Sequence, residues 1–130
     1  MTTNTISRFA PSPTGRLHLG HAWSALQAHD LARNADGRFL LRIEDIDRTR
    51  CRPAFVEAIF EDLNWLGLGW DGDVMTQSER LAAYTEALEN LRKMDLLYRC
   101  ICTRADIANA ASAPQGAIGA IYPGTCRHAA

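Results

Sequence analysis

No stretch of this chain approaches the roughly 20 consecutive apolar residues that a membrane helix needs. Its first nine residues, MTTNTISRF, lack the long apolar core of a secretory signal. Both absences point to a cytoplasmic protein. Neither sign of charge is in excess: 14 Lys and Arg stand against 15 Asp and Glu, a net charge of −1. That gives no global electrostatic footprint for nucleic acid and leaves only a local basic patch. There is no internal repeat. Cysteine is scarce, with 4 in 130 residues. A cytosolic setting argues against disulfides. Cys100 and Cys102 are separated by one residue, which is poor spacing for a mutual bridge. What is present is ordinary for a globular domain with a modest core: 47% hydrophobic and 22% charged residues.

Ile6 to Phe9 reads as a short strand, and a helix follows from Leu19 to Asn34. Asp36-Gly37 makes a turn, and RFLLRI, Arg38 to Ile43, is a second strand. Strand, helix, strand is a βαβ unit, so the two strands should be parallel with a right-handed crossover. After the acidic loop EDIDRTRCR, Pro53 opens a helix with Val56, Ile59, Phe60, Leu63 and Leu66 at helical spacing. Gly67 caps its end. Ser78 is the expected N-cap of a third helix, with Leu81, Tyr84, Leu88 and Leu91 on its buried face. Leu96 to Cys102 reads as another strand. Thr103 and Asp106 make a capping box for a short helix. Residues 110–120 read as a flexible loop. The closing CRHAA completes no recognisable element, so the chain is expected to be a fragment of something longer.

The loop RFAPSPTGRLHLGH, residues 8–21, runs from the first strand into the first helix. A helix N-terminus placed there attracts anions, because its first N–H groups are unsatisfied and its dipole favours negative charge. Pro11 and Pro13 stiffen the loop. Gly15 permits a turn, and Gly20 leaves the helix backbone open to a ligand. His18 and His21 are three residues apart and face the same way from the first turn. Imidazoles donate to phosphate oxygens and stabilise charge that develops there. The loop follows neither the Walker pattern nor GxGxxG. The plain alternative is a capped helix with two surface histidines.

Cys100, Cys102 and Cys126 form a second constellation. Three thiolates suit a structural zinc ion, which takes four tetrahedral ligands. His128 is the fourth ligand that ordinary zinc chemistry offers. Three reduced cysteines without metal are the plain alternative. Cys51 stands apart as a free thiol.

HLGH at 18–21 resembles the His-Ile-Gly-His signature of class I aminoacyl-tRNA synthetases. RFAPSPTG at 8–15 and RIEDID at 42–47 narrow the resemblance to the glutamate-specific branch, and it covers nearly the whole chain. RIEDID, WDGDV with QSER, CICTRADI, and the short span before YPGTC resemble its shortened glutamyl-Q branch. The resemblance implies an α/β fold: the first half of a Rossmann-like doubly wound parallel sheet, with a small zinc-binding insertion. It places half a catalytic domain in residues 1–97 and a truncated insertion in 98–130. It implies a ligase that activates L-glutamate with ATP and Mg2+ and transfers it to queuosine in the anticodon of tRNA(Asp). The full-length enzyme would be a monomer, and this piece alone inactive. Charging of tRNA(Glu) by an ordinary glutamyl-tRNA synthetase stays open. So does a non-catalytic zinc-containing binding module of synthetase descent.

The same resemblance implies residue roles. Arg8, Phe9, Ala10, Pro11 and Ser12 would line the glutamate pocket, and Glu44 would receive the substrate ammonium. Pro11, Ser12, Pro13, Thr14, Gly15, Arg16, Leu17, His18, Leu19, Gly20 and His21 would bind the nucleotide, with His18 and His21 catalytic. Zinc would sit on Cys100, Cys102, Tyr122 and Cys126, with Tyr122 in place of His128. Each role has a bland counterpart. Arg8 could pair with Asp45 or Asp47, and Glu44 could cap a turn. Asp45 and Asp47 read as structural, holding their loop through Arg48. Arg48, Arg50 and Arg52 read as a solvated basic cluster.

Overall fold

The computed structural model describes residues 5–109, 115–116, 119–120 and 122–128. The backbone divides into two compact units, Met1–Ala83 and Tyr84–Ala130.

In the first unit, β1 (Ile6–Phe9), α1 (Leu19–Arg33), β2 (Arg38–Ile43), α2 (Pro53–Trp65) and β3 (Met75–Thr76) follow in order. The sheet order is β1-β2-β3 with both pairings parallel, Arg8 opposite Leu40 and Arg42 opposite Met75. Alternation along β2 explains its one-sided burial. Phe39, Leu41 and Ile43 are buried, together with Phe9 from β1. Ala25 and Ala32 of α1 and Ile59 and Leu63 of α2 complete that core. The two alanines are fully buried, and their small side chains leave room for close packing. The expected βαβ unit and parallel strands are therefore present.

Helix ends follow their chemistry. Pro53 opens α2. Gly67 closes it at φ +72, with Gly67 N–H on Asn64 O and Leu68 N–H on Leu63 O, a Schellman arrangement. Asp71 accepts from Arg33 and from Phe39 N–H, tying the end of α1 to the start of β2. Gly37 is needed for a different reason. A Cβ there would meet Thr5 O at 2.1 Å. Gly37→Ala should therefore destabilise the protein by about 1–3 kcal/mol, read as a lower urea midpoint.

Several expectations fail here. Ser78 is no helix cap, because it lies inside a 3-10 turn over Gln77–Arg80 that leads into α3 (Leu81–Lys93). Ser78 instead gives both its N–H and its hydroxyl to Asp45. The apolar stripe of α3 is not buried: Leu81, Leu88 and Leu91 are 42, 54 and 39% exposed. A helical stripe reports which residues share a face, not what covers them. Residues 96–102 form no strand, since no described strand pairs with them, and Leu97, Tyr98 and Ile101 are exposed. The two-residue β3 went unread because it is too short to show a period.

In the second unit, Thr103 and Asp106 bond reciprocally and open α4 (Arg104–Asn109), as expected. Of the loop at 110–120, β4 (Gln115–Gly116) and β5 (Gly119–Ala120) pair antiparallel, and the rest lies outside the described residues. No described helix is long and apolar enough to cross a membrane.

Candidate active site

β1 ends and α1 begins on one side of a cleft of about 630 Å³. Arg8, Phe9, Ala10, Pro11, Ser12, Thr14, Gly15, Arg16, Leu17, His18, His21 and Ser24 line it. The sequence reading thus has most of its residues in one cavity. Ser24 was missed, although it lies one turn beyond His21 on the same face. Pro13, Leu19, Gly20 and Glu44 are not on the wall. Pro13 is fully buried, and its carbonyl accepts from Arg52 N–H at 3.1 Å. The carbonyl of Pro11 accepts from Glu44 N–H at 3.0 Å. The loop's prolines lack donors, but their acceptors fasten it to the rest of the unit.

His18 and His21 cap α1 reciprocally. His18 Nδ1 accepts from Gly20 N–H at 3.1 Å, and His21 Nδ1 accepts from His18 N–H at 3.2 Å. The rings lie 3.8 Å apart. The capping reading is therefore correct as structure. It does not displace the functional one. Each neutral ring that accepts at Nδ1 carries its proton on Nε2, so the cap fixes the tautomer and leaves a donor on each ring. Burial, then the neighbouring His18, pushes the His21 pKa below 6.5 and favours that neutral form. The group most crowded by a Cβ at Gly20 is the His18 ring, 3.1 Å away, so glycine here serves the cap.

Glu44 stands just past the C-terminal end of β2, where ligands of parallel sheets bind. Its carboxylate pairs with Arg42. Among the described residues Arg8 makes no ion pair with Asp45 or Asp47 and is exposed in the cleft wall. Asp45 and Asp47 are structural, but not through a bond to Arg48. Asp47 binds Thr49 and Arg50 and is held down at about 2, chiefly by those two side chains. Burial raises the Asp45 pKa, yet the Ser78 hydrogen bonds and the Arg48 charge together leave it lowered. Cys51 is half-buried, and burial followed by the charges of Asp47 and Asp45 pushes its thiol up.

In the second unit the sulfurs of Cys100, Cys102 and Cys126 lie within 4.8 Å of one another. The Tyr122 hydroxyl joins them, 3.4 Å from Cys100 Sγ and 4.0 Å from Cys102 Sγ. It also accepts from Cys126 N–H at 2.9 Å. Exposed His128 is not in the group. Hydrogen bonds from Ile101 N–H, then from Tyr122 and Cys102, lower the Cys126 thiol to about 7. Three thiols in one place are soft donors that fit zinc, and the phenol oxygen beside them is a harder fourth donor.

The parallel sheet, the proline loop and the histidine-capped helix define a class. Residues 4–125 match the family described as tRNA synthetases class I (E and Q), catalytic domain, and the chain belongs to it. More particularly, it is 58% identical over 127 residues to a glutamyl-Q tRNA(Asp) synthetase of Rhodobacter capsulatus, covering 94% of this chain and 46% of that one. A glutamyl-Q tRNA(Asp) synthetase of Symbiobacterium thermophilum is 52% identical over 130 residues, covering 92% and 40%. The chain spans less than half the length of these relatives. Among solved structures, a glutamate tRNA ligase from Elizabethkingia meningosepticum, in complex with its amino acid, superposes with a TM-score of 0.71. It is 37% identical, over 81% of this chain and 22% of that one.

Proposed function

We propose that the protein containing this chain activates L-glutamate with ATP and Mg2+ and transfers it to queuosine in the anticodon of tRNA(Asp). The observation that carries the reading is the cleft, where Arg8, Ser12, His18 and His21 share one wall beside a helix N-terminus. High identity to relatives named for this activity supports the choice of acceptor.

Arg8 binds a substrate carboxylate through its planar guanidinium, and Ser12 adds a hydroxyl. Phe9, Ala10 and Pro11 shape that pocket, and Glu44 takes the ammonium group. The segment from Pro11 to His21 cradles the nucleotide. His18 and His21 donate from Nε2 to its phosphate oxygens. A glutamate carboxylate oxygen then attacks the α-phosphorus. The bond to the β-phosphate oxygen breaks, pyrophosphate leaves, and glutamyl-adenylate forms. No covalent bond to the protein is needed, so the residues act by positioning and by stabilising charge. In the second step queuosine takes the glutamyl group and AMP leaves.

Residues 1–97 serve in this reading as half of the catalytic domain and 98–130 as a zinc-bearing insertion. Cys100, Cys102, Tyr122 and Cys126 would hold the zinc, whose role with four protein ligands is to fix the insertion. The full-length protein works in the cytoplasm as a monomer. Labelled glutamate recovered on the queuosine base of tRNA(Asp) supports the reading. Label on the 3′ end of tRNA(Glu) supports an ordinary glutamyl-tRNA synthetase instead, the reading favoured by the likeness to glutamate tRNA ligase.

A further inference from the structure

The sheet has two faces, and its charged residues lie together on the one turned away from the core. Phe39, Leu41 and Ile43 point into the core, so Leu40, Arg42 and Glu44 point the other way. The parallel register sets Arg8 opposite Leu40, which puts Arg8 on that same face. One face thus carries the guanidiniums of Arg8, Arg38 and Arg42 and the Glu44 carboxylate. Glutamate carries two carboxylates and an ammonium.

Arg42 has no role in the reading above, yet it is the charge nearest the one group assigned to the ammonium. Its Nη2 donates to Glu44 Oε1. Both side chains are part-buried, 25 and 31% exposed. Arg42 Nε is buried and has no hydrogen-bond partner. A part-buried pair with one donor left over is weak as a stability device. It is suited to fixing direction, because Glu44 follows the last residue of β2 and Arg42 lies two residues before it on the strand.

We propose that Arg42 is a positioning residue for recognition of the substrate ammonium: it holds one Glu44 oxygen, keeping the carboxylate aimed and its second oxygen open. This rests on the assignment of Glu44 in the preceding section. Without Arg42, Glu44 swings between rotamers, and the ammonium loses its acceptor while the carboxylate contact at Arg8 remains.

The test is glutamate-dependent ATP–pyrophosphate exchange by the full-length protein. Arg42→Met should raise KM for glutamate roughly 10- to 100-fold, the size of one lost charge-assisted hydrogen bond, with KM for ATP and kcat within about 3-fold. Glutarate has both carboxylates and no ammonium, so its inhibition constant should stay within about 3-fold. Arg42→Lys should restore most of the glutamate KM. Where Met lowers the melting temperature, Arg42→Gln repeats the comparison with a polar side chain. An unchanged glutamate KM overturns the proposal. So does a joint rise in both KM values and the glutarate constant, which marks a merely structural role. Absence of exchange by the wild-type protein is a different failure, since it overturns the functional reading itself.

Discussion

His21→Ala lowers the rate of glutamyl-adenylate formation roughly 100- to 1000-fold, the range seen when one preorganised donor to a developing charge is removed. In the proposed reading the loss falls on rate and not on glutamate binding. His21 is held by its own Nδ1 on His18 N–H, next to the His18 ring, on the wall where α1 begins. The contribution proposed for it is the Nε2 donor, which matters most as charge builds on the phosphate oxygens. KM for glutamate should move only a few-fold. A capping bond is lost as well, at about 0.5–2 kcal/mol of stability. Single-turnover rates and melting curves on the same variant separate the two effects. A rate loss no larger than that expected from partial unfolding leaves the histidines as caps alone.

The pH dependence has a definite sign. Burial and His18 hold the His21 pKa below 6.5, so the unfolded chain binds a proton more readily than the folded one. Stability from this group is therefore present above about 6.5 and lost as pH falls through the lowered folded value. The urea midpoint of the wild-type protein should fall more steeply over that acid range than that of His21→Ala.

Cys102→Ser should abolish the zinc proposed for the insertion of the full-length protein. Cys102 is central to the group, 3.4 Å from Cys126 Sγ and 4.0 Å from the Tyr122 hydroxyl. Loss of a direct ligand should weaken zinc by more than roughly 100-fold, beyond the 10- to 100-fold of an outer-sphere change. Metal binding and folding are coupled, so the melting transition of the insertion should drop with it. Tyr122→Phe should weaken zinc, while His128→Ala should leave metal content unchanged. Retention of zinc by Cys102→Ser contradicts the cluster assignment. Retention by Tyr122→Phe with loss in His128→Ala makes the histidine the fourth ligand.

The first unit was legible because its signals agree. A period of two in RFLLRI, a proline at the start of α2 and Gly67 at its end all point to the same elements. The chain from Ser78 onward was harder. The stripe of Leu81, Leu88 and Leu91 has helical spacing, and the helix is there, but nothing in a spacing says that its face is covered. Leu96 to Cys102 has strand-like composition, yet a strand needs a partner, and composition does not name one. Ser78 looked like a cap because capping residues are read locally, whereas its partner, Asp45, lies 33 residues away. The site was legible for a related reason. RFAPSPTG and HLGH lie two residues apart, so one loop carries most of the cleft, while Ser24 and Arg42 became visible only through the helix turn and the strand face.

The most direct measurement is ATP–pyrophosphate exchange by the full-length protein, with glutamate as the amino acid, in the presence and absence of tRNA. The expected result is glutamate-dependent exchange without tRNA. Exchange only when tRNA is present transfers the reading to an ordinary glutamyl-tRNA synthetase. No exchange under either condition contradicts the claim that this cleft activates glutamate, and leaves a zinc-containing binding module of synthetase descent.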